Sequence, residues 1–205
     1  MKLRAAIIDY GVGNVGSVSQ ALLRAGVKPR ITCSAQDIAR ADFLVLPGVG
    51  EFSTAMNALN GAGITEALRT AIREEEKPVL GICLGMQLFA ATSEESPGVQ
   101  GLDLLEGAVK RLPAGEGTVP NTGWMDVQAT NRSGIDGCYY FSHSYYYDSP
   151  PDQVIALTAG QRRFPACLRW KNIIGCQFHP EKSQTSGEHF LDWFLHGVRS
   201  RHPLP

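Results

Sequence analysis

The sequence predicts an α/β fold, a doubly wound, mostly parallel sheet with antiparallel hairpins appended to it. Three observations predict it. In the first half, short apolar runs alternate with segments of helical periodicity across glycine-containing loops, the pattern of a parallel sheet covered on both faces. From about residue 100 the helical spacing gives way to short β-like pieces, and the chain closes on one more amphipathic segment.

Leu3 to Asp9 reads as a buried strand, followed by the turn Tyr10-Gly11-Val12-Gly13-Asn14 and a helix from about Val15 to Ala25 that stops at Gly26. Pro29 to Cys33 reads as a second strand and Ala35 to Arg40 as a short helix. Phe43-Leu44-Val45-Leu46 is the clearest strand, ended by Pro47-Gly48-Val49-Gly50. Helical spacing covers Ser53 to Leu59 and Ile64 to Glu76, the second closing on a charged run, Arg73 to Lys77, that fits a solvated helix end. Pro78 breaks that helix, and the apolar run into Cys83 is the next strand. The later β-like pieces are Gly107 to Leu112, Met125 to Ala129, Gly137 to Ser142, Val154 to Thr158, Ala166 to Trp170 and Ile173 to Phe178. Gly187 to Ser200 is the closing helix, with Phe190, Trp193, Phe194 and Val198 on its apolar side. In such a flavodoxin-like sheet functional loops gather beyond the carboxyl ends of the strands, which singles out residues 10 to 14, 47 to 51 and 81 to 87.

Composition narrows the class of function. With 205 residues and 43% hydrophobic side chains the chain can build a substantial core, and one domain is expected. Lys and Arg (19) balance Asp and Glu (20), which leaves no footprint for nucleic acid or an anionic membrane. The amino-terminal apolar stretch meets Asp9 too soon for a signal peptide or a membrane span, so a cytoplasmic location is expected. Five cysteines without a CxxC pair argue against a disulfide framework and against a metal site. Cys33, Cys138, Cys167 and Cys176 lie in or beside apolar segments and read as small buried hydrophobes.

Cys83 is different. It stands in Gly81-Ile82-Cys83-Leu84-Gly85, where a strand gives way to a helix, and glycines on both sides leave room for a strained turn that projects its thiol. The positive end of the following helix dipole favours the thiolate there. Nearly a hundred residues on, Gly175-Cys176-Gln177-Phe178-His179-Pro180-Glu181-Lys182 ends another strand with an imidazole and a carboxylate two residues apart. A thiol needs a base, and the base needs a group that fixes its tautomer, so Cys83, His179 and Glu181 form a candidate triad. The loop Pro47 to Gly50 offers backbone N–H groups beside the Cys83 strand, and the amides of Val49 and Leu84 are the candidate oxyanion donors. Between two glycines, the Val49 peptide can rotate cheaply. Gly11-Val12-Gly13-Asn14-Val15-Gly16 matches a dinucleotide fingerprint, but Thr32-Cys33-Ser34 supplies no acid where a ribose ligand is expected. His143 reads as shaping a pocket through its backbone, and His189, His196 and His202 as surface residues. The clusters Tyr139-Tyr140-Phe141 and Tyr145-Tyr146-Tyr147 divide between core and interface.

On Gly-Ile-Cys-Leu-Gly-Met-Gln at 81 to 87 and His-Pro-Glu at 179 to 181, the chain resembles the class I (triad) glutamine amidotransferases. Within them it is similar to the glutaminase subunits that serve imidazole glycerol phosphate synthesis in histidine biosynthesis. The segments that carry this are Asp9 to Asn14, Leu46 to Gly50, Gly123-Trp124, Tyr140 to Tyr145 and Phe178 to Ser183. The resemblance implies a single glutamine amidotransferase domain over residues 1–205, with no cofactor. It implies that glutamine is hydrolysed here and that ammonia passes to a (βα)8-barrel cyclase, which makes imidazole glycerol phosphate and AICAR. Carried over, Cys83 is the nucleophile, His179 the general base and acid, and Glu181 its orienter. Gln87 and Glu95, with the backbone of Gly50, Ser144 and Tyr145, would hold the glutamine. Asn14, Tyr140 and Lys182 would lie at the cyclase interface, with Trp124 near the ammonia exit. Met125 and Asn121 depart from the usual Asn and His. The residues themselves also admit a triad glutaminase feeding another synthase, such as pyridoxal phosphate synthase, a cysteine peptidase of related architecture, or a flavodoxin-like binding module without turnover.

Overall fold

In a computed structural model of the chain, which describes residues 2–114, 117–130, 133–160 and 162–200, the first half winds as expected. Strands β1 (Arg4–Ile8), β2 (Lys28–Thr32), β3 (Phe43–Gly48) and β4 (Val79–Cys83) are joined through helices α1 (Val15–Arg24), α2 (Ala35–Arg40), α3 (Phe52–Gly61) and α4 (Thr65–Arg73). A single turn, α5 (Leu84–Gln87), follows β4. The second half supplies β5 (Thr92–Ser93), β6 (Ala108–Arg111), β7 (Asn121–Ala129), β8 (Gly137–His143), β9 (Tyr145–Asp148), β10 (Val154–Thr158), β11 (Pro165–Trp170) and β12 (Ile173–Cys176), then α6 (Gln184–Ser200).

The main sheet has nine strands in the order β2-β1-β3-β4-β12-β11-β10-β7-β8. Pairings from β2 through β12 are parallel, and those from β12 through β8 antiparallel. The sheet is therefore parallel in one half only, and most of the expected hairpins extend it. The exception is a separate three-stranded sheet, β5-β6-β9. Every residue of β3, β4 and β12 is buried, because helices cover both faces. Side chains alternate between the faces. Phe43 and Val45 pack with Leu22 of α1 and Phe190 and Phe194 of α6, whereas Leu44 and Leu46 pack with Met56 and Leu59 of α3 and Leu68 and Ile72 of α4.

Two local expectations are corrected. The helix expected to reach Glu76 ends at Arg73, and Glu76 takes φ +49° in a turn closed by Glu75 N–H to Thr70 O and Lys77 N–H to Ala71 O. That turn lets the Lys77 ammonium cap the last carbonyls of α2, Ile38 and Ala39. Cys33 is exposed and Cys138 half-buried, because one follows an edge strand and the other lies on the last strand of the sheet; Cys167 and Cys176, on central strands, are buried. The tyrosine clusters divide by strand period. Tyr139, Phe141 and Tyr147 are buried, and Tyr140, Tyr145 and Tyr146 are partly exposed. No helix among the described residues is long and apolar enough to cross a membrane. His189 and His196 are exposed on α6, and His202 lies outside the described residues.

Candidate active site

The carboxyl ends of β3, β4 and β12 meet beside the point where the strand order reverses, and the site is built on those three ends. β3 and β4 are in register at their last residues, Gly48 opposite Cys83. Cys83 itself has φ +55° and ψ −113°, a conformation that costs a non-glycine residue about 1–3 kcal/mol and survives only where packing dictates it. The glycines explain how the packing does so. A Cβ on Gly85 would fall on the Leu46 carbonyl oxygen, and one on Gly81 would sit 2.5 Å from the Phe89 ring and 2.8 Å from the Met86 backbone. The chain must therefore double back tightly at residue 83.

β12 delivers the other half. Three residues past its end, His179 is 3% exposed, and its Nδ1–H donates to Glu181 Oε1 at 2.9 Å, with the Glu181 side chain 2% exposed. Burial alone would push this imidazole down, but its hydrogen bonds to Cys83 and Glu181 and the attraction of their negative charge push it up to about 9. The His179 ring therefore favours its cationic form beside the sulfur. α5 has only one turn, so the dipole expected to assist the thiolate is small, and the imidazolium supplies the local positive charge instead. The His179 N–H donates to Tyr140 O, and Ser183 Oγ donates to His179 O while accepting the Tyr140 N–H. The short turn that holds the imidazole is thus fastened to β8.

A cleft of about 540 Å³, counting its open mouth, lies over the sulfur. Its walls hold Val49 and Leu84 with Cys83, together with Gly50, Gln87, Glu95, Ser144, Tyr145, His179 and Lys182. Glu95 Oε2 accepts the Phe52 N–H at 2.9 Å, and burial raises its carboxyl above the usual range. Gly48 is not a free joint, because a Cβ there would lie 2.7 Å from the Tyr10 hydroxyl and 2.8 Å from Gly85 N. At Gly50, φ +92°, an added Cβ would meet only a Val12 methyl, at 4.0 Å, which leaves any peptide rotation at Val49 to its far side.

Outside the cleft, the exposed Trp124 ring stands edge-on to Tyr140 at 6.1 Å, and Lys182 of the cleft wall holds its ammonium 5.6 Å over the Tyr140 ring. Asn14 caps α1 by accepting the Ser17 N–H, and lines a narrow crevice that reaches His179 and Glu181 from behind.

One residue of the site was not among the expected set. Gln177 is fully buried, and its Nε2 lies 3.6 Å from Cys83 Sγ. The two-residue period of a strand places it on the same side as His179, a signal present in the sequence. His143, read as shaping the pocket through its backbone, is among the residues that line the cleft. Its Nδ1–H donates to Tyr145 O at 2.7 Å, so Nε2 accepts the Asn121 amide at 3.0 Å. Burial pushes His143 down to about 4, and His179 and Arg162 add to this against the opposing Tyr145 bond. The unfolded chain then binds this proton more readily, so His143 costs stability as pH falls from about 6.5 towards 4. In urea titrations the stability advantage of the protein over His143→Gln should accordingly be largest above pH 6.5 and shrink towards pH 4.5.

The sequence matches the family model "Glutamine amidotransferase class-I" over residues 6–198. It is 42% identical over 200 residues to the imidazole glycerol phosphate synthase subunit HisH of Archaeoglobus fulgidus, covering 95% of this chain and 98% of that protein. To the protein of the same name from Moorella thermoacetica it is 44% identical over 201 residues, covering 95% of each. Two solved structures share the fold. One, described as the crystal structure of glutamine amidotransferase, superposes with TM-score 0.78 at 20% identity over 95% of this chain and 98% of its own. The other, PurLQS from Thermotoga maritima, gives 0.72 at 19% identity over 97% and 100%. With that family's pattern running through all but the two ends of its sequence, the chain belongs to the class-I glutamine amidotransferases.

Proposed function

We propose that the chain is the glutaminase subunit of an imidazole glycerol phosphate synthase, working as one domain that makes ammonia for a cyclase. One observation carries the chemistry: the Cys83 sulfur, held on a strained elbow, faces an imidazole that a buried carboxylate keeps in place. The Cys83 thiolate attacks the side-chain amide carbon of L-glutamine, and backbone N–H groups of Val49 and Leu84 receive the oxyanion. His179 gives its proton to the departing nitrogen, the C–N bond breaks, and ammonia leaves. Water, deprotonated by the same ring, then cleaves the thioester to glutamate. Glu95 supplies negative charge for the substrate's ammonium, while Gln87 and the backbone of Gly50, Ser144 and Tyr145 fix its length. The choice of acceptor is supported by relatives named as HisH at about 42% identity over nearly the whole chain.

The proposed partner is a (βα)8-barrel cyclase docked on Trp124, Tyr140, Lys182 and Asn14. Two aromatic rings and an ammonium clustered at Tyr140, with the helix cap Asn14, suit such an interface. Asn121 and Met125 lie on the same hairpin, where they touch each other at 3.2 Å. The test is co-purification with the barrel cyclase, followed by ammonia transfer from glutamine with and without the open-ring ribotide (phosphoribulosyl formimino aminoimidazole carboxamide ribotide). Imidazole glycerol phosphate should form from glutamine only in the complex, with glutamine turnover rising when the ribotide is bound. Glutamine turnover that never yields this product with the cyclase present would assign the chain to another synthase.

A further inference from the structure

We infer that Gln177 is a fourth catalytic residue, whose side-chain amide N–H holds the sulfur anion of Cys83. The inference rests on the glutaminase reading above and adds a residue to it. An amide can point either end at a neighbour, so its orientation has to be argued from what surrounds it. Here the surroundings decide. The Tyr145 carbonyl oxygen can only accept, and it lies 2.9 Å from one end of the Gln87 amide, so that end is the NH2 group. The same Gln87 nitrogen is 3.0 Å from the Gln177 side chain, which must therefore present its oxygen. Gln177 then has its NH2 group left, and that group lies 3.6 Å from Cys83 Sγ. The His143 N–H donates to the same Tyr145 oxygen and strengthens the anchor from which the ordering starts.

The placement is costly without a purpose of this kind. Gln177 is fully buried on β12's extension, where an apolar side chain would satisfy the core. A buried N–H aimed at a sulfur is weakly used by a neutral thiol, a poor acceptor, and strongly used by a thiolate. Gln177 thus favours the charged nucleophile and the tetrahedral intermediate's precursor without touching glutamine. Gln87, at the other end of the pair, faces the cleft, so the residue proposed to contact substrate also sets the direction of the donor on the nucleophile.

The test is Gln177→Met, which keeps the length of the side chain and removes both polar ends. Cys83 alkylation by iodoacetamide is followed peptide by peptide against pH, with the exposed Cys33 as internal reference, and glutamine hydrolysis is measured in the complex with the cyclase. A hydrogen bond to a charged group should be worth about tenfold to a hundredfold in kcat, with KM little changed. The alkylation profile should move up by about one pH unit. Should the methionine variant fail to fold by circular dichroism, Gln177→Leu is read in the same way. Unchanged kcat and an unmoved profile overturn the assignment, as does a lower kcat with an unmoved profile, which marks a packing role alone. If instead the unaltered protein alkylates no faster at Cys83 than at Cys33 and hydrolyses no glutamine, it is the glutaminase reading that falls.

Discussion

Cys83→Ala is expected to abolish glutamine hydrolysis, lowering turnover by roughly 10⁴-fold or more, while the cyclase complex continues to use added ammonia. The thioester forms on the sulfur, and the neighbouring Ser142 approaches it with its carbonyl oxygen, 3.8 Å from Sγ. Ammonia-driven synthesis is the informative control, because it needs the subunits to assemble but does not need the thiol. Residual glutamine turnover above about a thousandth of the parent rate would remove Cys83 as nucleophile. Residues that act as one unit do not add, so Cys83→Ala combined with His179→Ala should be no slower than Cys83→Ala alone. Backbone strain gives an independent check. Alanine keeps the φ +55° penalty and glycine relieves it, so Cys83→Gly should melt above Cys83→Ala although both are inactive.

The second large effect is expected from Glu181→Gln, a fall in kcat on the order of 10³- to 10⁴-fold with little change in volume. The carboxylate accepts the His179 Nδ1 proton at 2.9 Å and so keeps the other ring nitrogen free to take the thiol proton. An amide can turn its NH2 towards Nδ1, which places the proton on the wrong nitrogen. It also removes one of the negative charges that hold the imidazole at about 9, so the ring ionises less readily. The sign for stability follows. A histidine raised in the folded state contributes fully below its unfolded value near 6.5, and that contribution is lost as pH rises through about 9. Urea midpoints of the protein should therefore decline from pH 6.5 to 9.5 more steeply than those of Glu181→Gln. Equal slopes, together with near-normal turnover, would show that the carboxylate does not orient the ring.

Much of this site was legible in the sequence because its signals are local. Glycines two residues either side of Cys83 announce a tight elbow, and the His-x-Glu spacing puts both side chains past the end of one strand. The half-parallel sheet was harder to read, since β10 and β11 have the same apolar composition as the central strands and only pairing partners distinguish them. The short strands β5 and β9 were missed because their order comes from β6 between them, a contact across more than a dozen residues in either direction. Gln177 was passed over for a different reason. A glutamine between apolar neighbours reads as an accident until the sulfur, brought from 94 positions away, is seen beside it.

The hydrogen bond from His179 to Tyr140 has a consequence for the whole second half of the molecule. Five strands in four antiparallel pairings lead from β12 out to β8, and at Tyr140 the outermost of them meets the segment leaving the innermost. The circuit is complete, with a single seam, and the seam carries the proton-transfer group. The imidazole is accordingly aimed by every rung around that loop, and loosening any one of them spends its slack at the catalytic nitrogen.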